Sequence, residues 1–312
     1  MKFRTILSIC MLSLAIAACK KDEEEKTSEF MSGSISISIP EFVLPGYEIK
    51  ASDITQNLYA KGTEIGFFIT DPYTGKRDTT IALEYSKLLP FIVKDTLGAF
   101  DFTCTGFAEG FYNSSATTTF NTVDPEINGS LKGLGIDERK DSSFLDVDGR
   151  KYYFTPNKGL YWMMQNLANE SAGVPYKYCN ATSYMFGVFY TWEEAISICP
   201  EGWRLPTAEE WSGFTAGEIM ADATFNGEKM WPLSPDVPIS GSARLCAIPC
   251  GYAEANTEGY RFKGFNSYAA FWTSTQEGDQ AVYKYIYSDL NDIQEGLADK
   301  NSFAASVRCV RQ

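Results

Sequence analysis

Tryptophan and cysteine are unevenly distributed along this 312-residue chain, and that distribution constrains its folding more than any other feature. All six tryptophans and five of the eight cysteines lie after residue 143. Because domains usually hold roughly 100–200 residues, a chain of this length is expected to form two. We therefore predict two domains of different amino-acid composition, with a boundary near residue 143. Hydrophobic residues make up 44% of the chain, which argues against a wholly disordered protein.

The charge and the missing histidine exclude several classes of function. The net charge of −13 repels phosphate backbones, so we expect no nucleic-acid partner. The chain has no histidine, which excludes a Ser-His-Asp triad, a Cys-His pair and a His-ligated zinc or copper site. We expect neither a metal nor a cofactor.

The N-terminus has the pattern of a secretory signal. Lys2 and Arg4 precede an apolar run, 6–18, that would span about 20 Å as a helix and is too short to cross a bilayer core of about 30 Å. The sequence Ile-Ala-Ala-Cys at 16–19 resembles a bacterial lipobox. We predict a signal peptide at 1–18 and lipid attachment at Cys19, which would make a membrane the first partner. The alternative is an ordinary signal with a chance cysteine.

Residues 19–32 are predicted to form an acidic tether. The run Lys-Lys-Asp-Glu-Glu-Glu at 20–25 resembles the export signal of surface lipoproteins of the Bacteroidota type. It is also compatible with a plain solvated spacer. The prediction is an outer-membrane lipoprotein that is exposed at the cell surface.

Residues 33–123 read as short strands without an amphipathic helix. Strict alternation at 35–39 ends at Pro40, and a turn at 71–75 separates two β-rich runs. Phe102 and Cys104 share a strand face, and 117–123 reads as a last strand. This pattern favours an all-β sandwich, and residues 95–104 resemble the end of immunoglobulin-like surface modules. We predict a domain that acts as a spacer or packing partner rather than as a binding site, followed by a linker at 124–142.

Two threonines in this region match a short modification pattern. Thr79 and Thr96 each follow an aspartate, which resembles an O-glycosylation signal of the same bacterial group. The pattern is only three residues long, and matches by chance are expected.

The second region, 143–312, combines helices and strands. Thr191 with Glu194, and Thr207 with Glu210, have the spacing of capping boxes. The first helix should stop at Pro200, and the second should run toward Ile219. Strands are predicted at 271–274, 282–287 and 304–310, which indicates an α+β domain.

Six motifs in this region carry a family resemblance. They are Trp162–Leu167, Phe189–Ala195, Cys199–Trp211, Pro249–Tyr252, Phe271–Thr275 and Ser306–Arg311. In order and spacing they resemble the Fibrobacter succinogenes major paralogous domain, over most of residues 143–312. The resemblance implies a fold related to C-type lectins and formylglycine-generating enzymes. It also implies a disulfide between Cys199 and Cys309.

Three cysteines are left in this region. Cys179, Cys246 and Cys250 form an odd set, for which we predict one disulfide, of undetermined pairing, and one free thiol. A zinc site would have at most three thiolate ligands and no histidine, which disfavours it.

The function expected from the resemblance is recognition rather than catalysis. The reactive cysteine constellation of formylglycine-generating enzymes is missing, as are the calcium-lectin tripeptides. Sugar binding would then depend on aromatic residues, for which the candidates are Tyr252, Tyr260, Phe262 and Trp231. Tyr260 and Phe262 are the best of these, because 254–264 reads as a polar loop.

We therefore expect a non-catalytic recognition or adhesion module for a glycan or a cell-surface protein. A structural or assembly role is the alternative, and an enzyme related to the formylglycine-generating family is a weaker one. The alternative interpretation of the aromatic candidates is that most of them are core residues, because related folds fill their interiors with such side chains.

Overall fold

The computed structural model describes residues 28–77, 81–124, 134–231 and 237–312. The predicted signal peptide, Cys19 and Thr79 lie outside the described residues. Within the described residues, no helix is both long and apolar enough to cross a membrane.

The first region consists of short strands, as the alternating pattern predicted. Its strands are β1 Glu29–Phe30, β2 Ile35–Ile37, β3 Phe42–Val43, β4 Glu48–Ile49, β5 Ile54–Gln56, β6 Gly66–Thr70, β7 Phe91–Ile92, β8 Gly98–Phe107, β9 Phe111–Tyr112 and β10 Ser114–Thr122. Two short 3-10 turns, Ala51–Asp53 and Tyr85–Leu88, interrupt them.

A four-stranded sheet of order β3-β10-β8-β6 forms one wall of this region. The long β8–β10 pair is antiparallel, and β3 joins β10 in parallel. Thr103 and Thr117 face each other across β8 and β10 with their hydroxyl oxygens 2.8 Å apart, one of the cross-strand pairs that fix register. Phe102, Cys104 and Phe120 lie in a core that also contains residues of β2, β4 and β5. The region is all-β.

The second region is also mainly β, with short helices. Its strands are β11 Ser142–Leu145, β12 Lys151–Asn157, β13 Leu160–Met163, β14 Val174–Pro175, β15 Val188–Phe189, β16 Thr224–Phe225, β17 Glu228–Lys229, β18 Tyr252–Asn256, β19 Gly259–Lys263, β20 Tyr268–Glu277, β21 Gln280–Tyr287, β22 Gln294–Asp299, β23 Phe303–Ala304 and β24 Val310–Arg311. Its α-helices are α1 Ser183–Phe186, α2 Trp192–Ile198 and α3 Ala216–Ile219, and 3-10 turns span Tyr176–Tyr178 and Asn180–Thr182.

Three sheets organise this region. They have the orders β11-β12-β13-β24, β19-β18-β23 and β20-β21-β22. The segment 303–310 runs between them, and all eight of its residues are buried. The predicted continuous strand at 304–310 is wrong in its middle, because Ala305 pairs with Tyr190 and Ser306 with Phe271 as isolated bridges. Successive residues of this segment therefore join different elements.

The helix predictions were half right. Helix α2 begins at a capping box in which the Glu194 amide donates to the Thr191 hydroxyl, and it ends before Cys199. The predicted helix from Thr207 to Ile219 is wrong. Its capping contacts form only a turn, and Gly213, with a φ of +80°, has a left-handed backbone that a helix cannot continue through. Helix α3 starts later, at a capping box of Thr215 and Glu218.

The disulfide implied by the family resemblance is present. Cys199, the residue after α2, is bonded to Cys309, which precedes β24, with a Cα–Cα distance of 5.9 Å. It closes a loop of 110 residues and fixes α2 to the buried C-terminal segment.

The two regions share one apolar core. Phe42 of β3 is 4% exposed, and its ring lies 5.8 Å from Tyr176, 6.4 Å from Phe186 and 5.9 Å from Phe225. Leu134 and Ile136, from the predicted linker, are buried in the same cluster. The regions are therefore packed together and are not merely joined by a tether.

Replacing Cys199 by serine should lower the free energy of unfolding by about 4–5 kcal/mol, because the 110-residue loop is no longer closed in the unfolded chain. Urea unfolding under oxidising conditions measures this change. Reductant should bring the unsubstituted protein to the same stability and leave the variant unchanged. Equal stability of the two proteins without reductant would contradict the role of this bond.

Phe42→Ala should destabilise the C-terminal region although Phe42 belongs to the first, because a truncated buried phenylalanine usually costs about 3–5 kcal/mol. Tryptophan fluorescence reports only on residues after 143, so its thermal transition should move to lower temperature. Tyr59→Ala, at a side chain 61% exposed in the first region, is the control and should leave the transition in place. An unmoved transition in Phe42→Ala would show that the regions unfold independently.

Candidate functional site

Three tyrosines line one face of β21. Tyr283, Tyr285 and Tyr287 alternate along the strand, and side chains two residues apart point to the same side of a sheet. Tyr287 is 43% exposed, whereas Tyr283 and Tyr285 are half-buried. A row of rings is therefore presented partly to solvent.

Neighbouring strands extend this row into a continuous aromatic surface. Tyr268 of β20 stacks on Tyr285 with ring centroids 5.1 Å apart and meets Tyr287 edge-on at 5.0 Å. Phe303 of β23 lies 4.7 Å from Tyr283 and 5.1 Å from Tyr252 of β18. Rings from four strands thus support one another.

These rings form the floor of an open groove of about 550 Å³. We call it the tyrosine groove; its lining residues are Tyr252, Glu254, Ala255, Tyr268, Gln280, Tyr283, Tyr285, Tyr287, Leu297, Ala298, Asp299, Ser302 and Phe303. Its volume lies within the range of typical ligand sites. The described lining residues include two carboxylates and no lysine or arginine.

A glycine fixes the position of one ring. Gly296 of β22 is the cross-strand partner of Tyr283, and a Cβ at this glycine would lie 2.6 Å from the Tyr283 ring. Because no side chain stands there, the Tyr283 ring lies over the backbone of β22. The glycine thereby helps to shape the groove.

Tyr252 and Tyr268, two of the groove tyrosines, keep their protons at neutral pH. Burial, together with the Glu254 carboxylate, raises the pKa of Tyr252, and burial also raises the pKa of Tyr268 far above its ordinary value. Phenol hydroxyls in this state both donate and accept hydrogen bonds. The groove thus combines flat apolar faces with neutral hydroxyls and acidic oxygens.

The structure separates the four predicted aromatic candidates. Tyr252 lies in the groove. Trp231 is 2% exposed and its Nε1 donates to the Ala247 carbonyl at 3.1 Å, so its ring has no face for a ligand. Tyr260 and Phe262 belong to β19, whose hairpin with β18 replaces the predicted polar loop. Both are half-buried against the shared core, which corrects their prediction as exposed residues.

The alternation of tyrosines at 283, 285 and 287 was the sequence signal for this groove. The strand itself was predicted, but its tyrosines were not singled out. Alternating aromatic residues also mark buried strand faces, so the sequence pattern alone does not distinguish the two situations.

The predicted second disulfide is absent from the described residues. Cys179, Cys246 and Cys250 are all buried free thiols, as is Cys104. Each of the three has its own polar contact: the Cys179 thiol donates to the Lys177 carbonyl at 3.4 Å, the Cys246 thiol donates to the Arg244 carbonyl at 3.5 Å, and the Cys250 sulfur lies 3.4 Å from the Ser306 hydroxyl. Burial raises the pKa of Cys246 to about 11, so this thiol is not an activated nucleophile.

Two further predictions concern a modification site and a metal site. Thr96 is exposed in the loop between β7 and β8, where it is accessible to modification. Among the residues that the structure describes, no group of three or more cysteines and acidic residues could hold a metal ion.

Comparison with known proteins locates a family in the second region. A family model described as the Fibrobacter succinogenes major domain matches residues 157–311. No curated protein sequence matches the chain. Among solved structures, the adhesin InvE of Yersinia pseudotuberculosis is 8% identical with a TM-score of 0.24, over 89% of this chain and 70% of that one. A TM-score this low does not establish a common fold.

Gly296→Ala should displace the Tyr283 ring and lower stability by about 1–2 kcal/mol, because the new methyl group overlaps the ring. In a Tyr283→Ala background the same change should instead stabilise by about 0.5–1 kcal/mol, since alanine then costs less chain entropy than glycine. Urea unfolding of the four proteins of this double-mutant cycle gives both values. A destabilisation of the same size in both backgrounds would contradict the contact.

Proposed function

Residues 157–311 belong to the Fibrobacter succinogenes major domain family, and from that premise we propose that this domain is a non-catalytic recognition module that binds a glycan in the tyrosine groove. The observation that carries the proposal is the juxtaposition of same-face tyrosines with two carboxylates in one open groove. Sugar rings have apolar faces that stack on aromatic rings, and their hydroxyls need hydrogen-bond partners.

The chemistry of the groove favours neutral sugars. Glu254 Oε2 accepts from the Lys263 ammonium and Asp299 Oδ1 accepts from the Ser302 hydroxyl, so a sugar hydroxyl would donate to the second oxygen of either carboxylate. No lysine or arginine among the described lining residues would hold a sugar carboxylate or sulfate. The length of β21, eight residues, suits an extended chain of several sugar units better than a single one.

Recognition rather than catalysis is supported by the state of the cysteines. Cys309, the cysteine nearest to the C-terminal position that the resemblance links to catalysis, is committed to the disulfide with Cys199. The described free thiols are buried. We therefore propose no enzymatic activity and no cofactor.

The remainder of the chain fits the display of such a module at a cell surface. In the proposed arrangement, lipid on Cys19 anchors the protein in the outer membrane, and the acidic tether of residues 19–32 extends from it on the outside of the cell. The first, all-β region then separates the C-terminal domain from the membrane surface. Thr79 and Thr96 would carry glycans in that environment. The net charge of −13 disfavours a nucleic-acid partner.

Two finer fold assignments belong to this proposal. An immunoglobulin-like first region is supported by the parallel pairing of the early strand β3 with the last strand β10, next to β8 and β6. A C-type-lectin-like second region is supported by the pairing of β13 with β24 and by the disulfide from α2 to the end of the chain.

The test is a glycan array probed with soluble protein that begins at residue 20, followed by titration of the best ligand. Neutral glycans should bind saturably, and Tyr287→Ala should weaken the affinity at least about fivefold, because the variant loses an exposed stacking ring. Tyr59→Ala is the control: it removes an exposed ring from the first region, outside the tyrosine groove, and should not alter binding.

Two results would contradict the proposal. One is binding that Tyr287→Ala leaves unchanged. The other is an array without any ligand, which would favour a structural or assembly role at the cell surface.

A further inference from the structure

We propose that a small oxyanion binds in a second cavity of the C-terminal region, beside the buried Arg308 guanidinium. This cavity, of about 80 Å³, is lined by Arg150 and Lys151 near the start of β12, by Gln165 and Asn166 after β13, by Ser183 and Tyr184 of α1, and by Arg308. We call it the Arg308 cavity. It shares no described lining residue with the tyrosine groove.

The charges around the two cavities are opposite. The described residues that line the Arg308 cavity include three cationic side chains and no aspartate or glutamate. The tyrosine groove has two carboxylates and no cation among its described residues. The cavity is thus lined by positive residues although the chain as a whole has a net charge of −13. An anion is the ligand that such a cavity attracts.

Arg308 is the central cation. Its side chain is 2% exposed, and its Nε donates to the Asn166 Oδ1 at 2.6 Å. Nη1 donates to the carbonyls of Met163 and Leu245, and Nη2 donates to the carbonyl of Cys246 at 3.2 Å. These described partners are all neutral, and they use four of the five N–H groups of a guanidinium.

A buried charge without a counter-ion is costly, even when dipoles surround it. Burial lowers the pKa of Arg308 to about 10, so the group is still a cation at neutral pH. An oxyanion in the cavity would supply the missing negative charge, and the fifth N–H is left to bind it.

The acidic groups nearby lie outside the lining. Glu170 is 3.6 Å from Arg150 and accepts a hydrogen bond from the Ser183 hydroxyl at 2.5 Å. Glu138 accepts from the Tyr153 hydroxyl at 2.9 Å, on the side of Lys151. Even if each offsets one neighbouring cation, the charge of Arg308 has no described carboxylate to balance it.

The volume limits what can enter. About 80 Å³ holds roughly five to eight waters, which matches inorganic phosphate, sulfate or a short carboxylate and excludes an oligosaccharide. The inference is therefore independent of glycan binding in the tyrosine groove. The anion comes either as a free ion or as the acidic group of a larger molecule.

The experiment uses the soluble chain from residue 20, in sodium chloride of fixed total ionic strength. Sodium phosphate, sulfate and acetate are titrated by calorimetry and by thermal unfolding, and glucose 6-phosphate tests a phosphate on a larger molecule. At least one oxyanion should bind at a single site and raise the Tm saturably by about 2–4 °C. Binding by phosphate but not by glucose 6-phosphate would identify a free ion as the ligand.

Lys151→Gln should weaken this binding about fivefold or more, because it removes one of the three lining cations without disturbing the Arg308 contacts. Lys61→Gln removes an exposed lysine from the first region and should have no effect. Arg308→Lys is a poor test, because it breaks buried hydrogen bonds and can prevent folding.

Two results would overturn the proposal. The first is no stabilisation by any oxyanion beyond that of chloride. The second is equal weakening by Lys151→Gln and Lys61→Gln, which would indicate general screening of charge by an adventitious ion only.

Discussion

The C-terminal region depends on the buried segment 303–310, which pairs with five other parts of the chain. The pairs are Ala304 with β18, Ala305 with Tyr190, Ser306 with Phe271, and Val310 with both β13 and Arg204. Cys309 adds a covalent bond to the end of α2. Since no residue of the segment is exposed, its backbone groups must be satisfied within the protein, and these pairings satisfy several of them. The segment thus contacts all three sheets.

The same segment connects the two cavities. Phe303, at its start, supports Tyr283 and Tyr252 in the tyrosine groove. Arg308, five residues later, holds the carbonyls of Met163, Leu245 and Cys246 and lines the smaller cavity. An acidic open groove and a smaller cationic cavity thus lie beside residues that are five positions apart in the same segment, and the pairings of the backbone fix both.

The sequence was informative wherever a local rule determined the structure. The capping box at Thr191 and Glu194, the alternation that begins at Ile35 and the strand face of Phe102 and Cys104 are local patterns, and the structure has the corresponding elements. The disulfide of Cys199 and Cys309 was implied by family resemblance. The helix after Thr207 was predicted wrongly. Gly213 has a left-handed backbone, and the Arg204 guanidinium donates two hydrogen bonds to the Glu210 carboxylate, and both features favour a turn there. The tyrosine groove and the packing of Phe42 could not be predicted, because they bring together residues of distant elements.

Strand β13 pairs with both β12 and β24, and these two partners lie at very different distances along the chain. Trp162 is close in sequence to its partner in β12 but about 150 residues from Val310. Contacts between residues close in sequence form faster than contacts between distant ones. The hairpin of β12 and β13 should therefore form early, and the pairing of β13 with β24 should follow later. During that interval one edge of β13, with its tryptophan, is open to pairing with another copy of the chain. Because the core is completed by a segment at the end of the chain, the protein is prone to aggregate during folding until β24 pairs with β13.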